Sequence, residues 1–108
     1  MMRKMLFVNP TFHKGINCTV RKGMRWASLK PGEQIRLVKN LTSTRGKTAT
    51  VYQLLVSRFD DLTAESISLE HAPHCQGNKQ ALFDDMCDIY SGDFNWDSVI
   101  TVVYFNVT

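Results

Sequence analysis

Thr19 and Arg21 stand two residues apart in the stretch GINCTVRKGMRWASLKPGE (15–33), and Lys22, Arg25, Trp26 and Lys30 follow closely. Two chemistries are open to such a set. A threonine hydroxyl attacks a carbonyl only beside a base or with a depressed pKa. An arginine fork presents parallel N–H donors to a phosphate or a base edge. Cations interleaved with an aromatic ring suit a nucleic acid, because the cations neutralise phosphates and the ring stacks a base. On a strand, Thr19 and Arg21 share one face and Cys18 and Val20 the other. That face either meets water or floors a cleft, and Trp26 either stacks a ligand or plugs the core.

Three other groups could do chemistry. His71, His74 and Cys75 have metal-binding side chains, but no second, separated pair completes a structural zinc site and Pro73 interrupts the run. They read as a helix-end turn, and neither a metal nor another cofactor is expected. Asp84, Asp85 and Asp88 read as the solvated face of a helix. Phe94 and Trp96, in the acidic loop SGDFNWD, either cap the core or form a protein-binding tip.

The elements that position these residues follow from period and punctuation. KMLFV (4–8) reads as a first strand stopped at Asn9-Pro10, since proline lacks the ladder donor. CTVR (18–21) is a short strand, and the loop after it closes on Pro31-Gly32. EQIRLVK (33–39) alternates with the period of two of a half-buried strand. KTATVYQLLVSRF (47–59) is rich in β-branched and aromatic residues and forms the longest strand. DDLTAESISLEHA (60–72) reads as a helix with Thr63 at its N-cap, and a second helix runs from about Asn78 to Tyr90 on an apolar stripe. SVITVVYFNV closes the chain as a buried strand. Strands, a hairpin, two helices and a strand make an α+β domain.

The bulk numbers fit one domain over residues 1–108, with 44% hydrophobic and 21% charged residues. No apolar run is long enough to cross a bilayer, and no signal peptide is recognisable, so a cytoplasmic protein is expected. Three cysteines without a Cys-x-x-Cys pair are then thiols, and the sequons at Asn17, Asn40 and Asn106 carry no sugar. Charge is lopsided: residues 1–47 hold eleven of thirteen basic residues and one acid, a net +10, while residues 48–108 hold two basic and nine acidic residues, a net −7. Either the halves pair across the fold, or one face is left positive and attracts phosphate.

In this order, CTVRKGMRWASLKPGEQIRL, a long strand, LTAESISLEHA, a helix ending in DIYSG and a terminal VITVVYF resemble an ASCH domain of the PUA-like superfamily, of the small single-domain kind found in bacteria and their phages. The resemblance implies a β-barrel of five to six strands with two helices packed at one opening, a cleft beside the Thr-x-Arg strand, and binding of RNA or a nucleotide-like ligand. One branch of the family removes the acetyl group from acetylated cytidine through a lysine-activated threonine, assisted by a glutamate. Thr19 and Arg21 match that motif, but Ile16 stands where the lysine belongs. Lys14 and Glu70 are displaced substitutes, the glutamate position itself falling on Cys75. The expectation is therefore a monomeric, non-enzymatic domain that binds nucleic acid through Thr19, Arg21, Lys22, Arg25, Trp26 and Lys30. A nucleoside amidohydrolase and a modulator of a protein partner are the alternatives.

Overall fold

A computed structural model describes residues 2–107. Five strands, β1 (Arg3–Leu6), β2 (Ile16–Lys22), β3 (Gln34–Val38), β4 (Lys47–Arg58) and β5 (Val99–Val107), form one sheet in the order β1-β3-β4-β5-β2. The β1–β3 pair is parallel and the other pairs are antiparallel. The architecture is α+β, as expected, but the sheet is an open one. β1 and β2 are its two ends, and no ladder joins them among the described residues.

Residues on the two faces of the sheet feed two cores. Ile100 and Val102 of β5, with Cys18 and Val20 of β2, pack with Phe59, Ile67, Leu82 and Met86. Val103 and Phe105 point the other way, into a second cluster with Met5, Phe7, Trp26, Ile35 and Leu37. The apolar run Val102–Phe105 of β5 is thus the signature of a strand covered on both sides. β4 serves both clusters as well. A bulge between Val51 and Gln53 shifts its register against β5 and leaves Tyr52 facing solvent. Ala49 and Val51 of this strand enter one core, and Leu55 packs against the other.

One α-helix, α1 (Lys79–Tyr90), covers the first cluster. Its N-terminus is set by Asn78, whose side chain accepts a hydrogen bond from the Ala81 N–H at 3.0 Å, and its end by Ser91 in the left-handed region at φ 45°. The helix expected over 60–72 does not form. Phe59–Asp61 is a 3₁₀ turn, and residues 64–69 are turns. Thr63 and Ser66 close the first of them, each side-chain oxygen accepting the other residue's backbone N–H at 3.1 and 3.0 Å. The chain then docks on the free edge of β2. Cys18 N–H donates to the Leu69 carbonyl at 2.8 Å, and His71 N–H donates to the Cys18 carbonyl at 2.9 Å. These bonds satisfy backbone groups that a helix would have used internally.

The largest fully buried side chain is Phe59, whose ring lies 5.6, 5.2 and 5.5 Å from those of Phe83, Phe94 and Trp96. Phe94 is therefore core, and Trp96 is a half-open lid stacked on Phe83 at 3.9 Å. Replacing Phe59 with alanine should cost about 3–5 kcal/mol, measured by urea unfolding. An unchanged midpoint would show that this aromatic cluster does not hold α1 to the sheet.

Candidate ligand cavity between the sheet edges

The gap between the two ends of the sheet is spanned by one side chain. Arg21 projects from β2, and its Nη1 donates to the carbonyl of Leu6, the last residue of β1, at 2.6 Å. Its Nε donates to Thr19 Oγ1 at 3.1 Å, which fixes the two side chains on one face of β2. The guanidinium lies over the ring of Phe7, 4.4 Å from its centroid. Three of the five N–H groups remain for other partners.

Beside this bridge lies a cavity of about 460 Å³, lined by Thr19, Arg21, Glu70 and His71, with Phe7, Met86 and Ile89 among its apolar walls. That volume lies in the range of small-molecule sites, roughly 300–1,000 Å³. A second, smaller concavity of about 280 Å³ adjoins it and shares Leu6, Arg21 and Tyr90. Lys4, Lys22, Arg25 and Trp26 complete the smaller one. An apolar cavity with a few polar groups and a cationic cleft thus meet at Arg21.

Glu70 reaches the cavity because the Leu69–His71 segment is tied to β2. It is 3% exposed, and its Oε2 has no hydrogen-bond partner. Desolvation pushes its carboxyl up to about 8, against the opposing pull of the Ala72 backbone N–H and Arg21. The neighbouring His71 is desolvated too and falls to about 4. Its Nδ1 lies 3.1 Å from the Thr11 carbonyl, which can only accept, so Nδ1 carries the proton. Nε2 then accepts, and Glu70 Oε1 at 3.2 Å donates to it as a neutral carboxylic acid. Burial lowers the Arg21 guanidinium to about 10, with Tyr90 and Glu70 opposing the drop. Among the described residues no carboxylate lies within ion-pair distance of Arg21.

The residues singled out in the sequence take different places. Thr19 and Arg21 sit together in the cavity. Lys22 lines the cationic cleft and pairs with Asp93 at 2.6 Å. Arg25 is exposed at the same cleft, 5.3 Å from the Trp26 ring. Trp26 is 7% exposed, with Arg3 at 4.5 Å from its ring, so it is a core residue under two guanidiniums rather than a free stacking platform. Lys30 is exposed and lines neither concavity. Lys14 is exposed outside the cavity, and the half-buried Ile16 begins β2. Glu70 joins Thr19 although the spacing of the chain places it five residues from the expected position. The signal for it would have been a strand-edge pairing, which one sequence does not display.

No family model and no curated relative matches the chain. Two solved structures share its fold. An ASCH domain from Lactobacillus crispatus is 12% identical with a TM-score of 0.51, over 87% of this chain and 64% of its own. A DUF984 protein from Enterococcus faecalis is 13% identical with a TM-score of 0.50, over 88% of this chain and 63% of its own. The fold is ASCH-like. The chain spans a little under two thirds of the length of both neighbours. No helix of this ASCH-like domain, among its described residues, is long and apolar enough to cross a membrane.

The Glu70–His71 pair dictates a pH profile of stability. Between about 4.5 and 6.5 the unfolded chain holds its proton on histidine and the folded chain on Glu70, so proton counts match and stability is level. From about 6.5 to 8 only the folded state keeps a proton on this pair, and stability falls with rising pH. Glu70→Gln should abolish that fall and leave instead a rise from about 4 to 6.5, where neutral His71 alone is linked. Urea unfolding across pH checks this, and a wild-type profile in the variant would refute the neutral carboxyl.

Proposed function

We propose that this domain binds a nucleotide-like ligand or a nucleotide of an RNA strand, with the base in the larger cavity and the phosphate in the cationic cleft. The observation that supports this most directly is Arg21, a partly buried cation with no paired carboxylate among the described residues, standing where the apolar cavity meets the cleft. A guanidinium there has donors to spare for a base edge on one side and a phosphate on the other. Thr19 and the neutral Glu70 add a hydroxyl and a carboxyl to the base side, and the flanking Phe7 supplies apolar surface. Lys22 and Arg25 meet the phosphate. Trp26 holds Arg3 and Arg25 in place from below, and Lys30 serves only as distant positive charge.

The charge distribution favours the same reading. Of the ion pairs formed by lysine or arginine, only Lys22–Asp93 joins the basic first half of the chain to the acidic second half among the described residues. Pairing therefore leaves most of the first half's positive charge in place. A second reading, hydrolysis of an acylated nucleoside by Thr19, gains from the arrival of Glu70 in the same cavity. It lacks an activating amine, since Ile16 replaces the lysine, and the Thr19 hydroxyl oxygen already accepts from Arg21.

Titration of the protein with ribonucleoside monophosphates and fluorescent single-stranded RNA, at two salt concentrations, tests the proposal. Salt-dependent binding is expected, weakened at least about tenfold, or 1.4 kcal/mol, by Arg21→Ala and by the exposed change Arg25→Ala. Lys30→Ala should have little effect. Unaltered affinity in both arginine variants, or no binding even at low salt, would overturn it. Acetate release from acetylated cytidine, lost on Thr19→Ala, would favour the hydrolytic reading instead.

A further inference from the structure

The structure brings a third side chain to two of the residues set aside in the sequence as a helix-end turn. His74 and Cys75 lie in the 3₁₀ turn Pro73–Cys75, and Asp85 comes from the middle of α1. His74 Nε2 is 2.6 Å from Asp85 Oδ2, and Cys75 Sγ is 3.3 Å from the same oxygen. All three candidate donor atoms fall within 4.8 Å of one another. Ten residues separate Cys75 from Asp85, so the cluster exists only because the turn packs on the helix. His74 and Asp85 both line the larger cavity, as does Glu70, a 3% exposed residue with one unpartnered carboxyl oxygen.

We propose that His74, Cys75 and Asp85 bind one divalent transition-metal ion of the zinc type at the rim of this cavity, through Nε2, Sγ and Oδ2. The donor set argues for that class. A thiolate and an imidazole disfavour magnesium and calcium, which take oxygen, and suit zinc or cobalt. Around a tetrahedral ion with bonds of about 2.0–2.3 Å, donor atoms lie roughly 3.3–3.8 Å apart. The Cys75–Asp85 separation already has that value, and the His74–Asp85 hydrogen bond opens by less than about 1 Å to reach it. On binding, the Cys75 thiol gives its proton to solvent and His74 holds its own on Nδ1, which leaves the Nε2 lone pair for the metal. Three protein donors leave a tetrahedral ion one further position, the arrangement of sites that take a water or a ligand rather than of closed structural ones. In this domain that position adjoins the cavity lined by His74 and Asp85.

The test is a titration of chelator-stripped, full-length protein with cobalt, read by absorption, followed by displacement with zinc, with no nucleotide present. Its outcome is thereby independent of the nucleotide-binding proposal. Wild type should take up one equivalent and show both a thiolate-to-cobalt charge-transfer band and the intense visible bands of tetrahedral cobalt. His74→Ala and Asp85→Asn, at side chains that are substantially exposed, should weaken zinc at least about tenfold. Cys75→Ser should remove the charge-transfer band. Because Cys75 is buried and its replacement also perturbs the core, the His74 and Asp85 variants keep the proposal falsifiable on their own. Absence of stoichiometric uptake, affinity unchanged in both of those variants, or a thiolate band that survives in folded Cys75→Ser protein would overturn it.

Discussion

A single guanidinium bridges the two ends of the sheet, and the rest of the site is arranged around it. A five-stranded sheet that curls without closing leaves two edges facing each other, each with unpaired backbone groups. Arg21 crosses that gap from β2 to the carbonyl of Leu6 and rests on Phe7 as it does so. Its reach sets the width of the opening, and its remaining donors give the opening its chemistry. At Cys18 the free edge of β2 is covered by the Leu69–His71 segment, which carries Glu70 into the cavity with it. The device that protects an edge is the same one that delivers a carboxyl.

The site is polar at few points, and those points are matched. Glu70 and His71 share one proton in a desolvated pair, and both sit as neutral partners near neutral pH. A charged carboxylate there would pair with Arg21 and neutralise it. The neutral acid instead leaves the guanidinium without a counter-ion, at the junction of an apolar cavity and a cleft rich in lysine and arginine. Burial thus acts on Arg21 twice, directly by desolvating the guanidinium and indirectly by favouring the neutral form of the acid in the same cavity.

Much of the framework was legible in the sequence because it is written locally. Alternation placed β3, the β-branched run placed β4, and the apolar stripe placed α1 within a residue or two. Strand alternation also put Thr19 and Arg21 on one face. What escaped was everything fixed by a partner far along the chain. Residues 60–72 have the composition of a helix, but the Leu69 carbonyl and the His71 N–H are claimed by a strand edge some fifty residues earlier. The same docking brings Glu70 to Thr19, and the packing of a turn on α1 brings Asp85 to His74 and Cys75. Trp26 sits among cations in the sequence and beneath them in the fold, a difference of depth that composition does not encode.

The position of β5 has a consequence for how the domain comes into being. Among the described residues β2, which carries Thr19 and Arg21, has no ladder partner other than β5, and β5 is made of residues 99–107. During synthesis β2 therefore has no ladder until residues 99–107 have been translated. Closing such a distant pairing is slow compared with forming α1, which needs only its neighbours. The cavity is consequently among the last features to appear on the nascent chain, and no fragment ending before β5 has a site to offer.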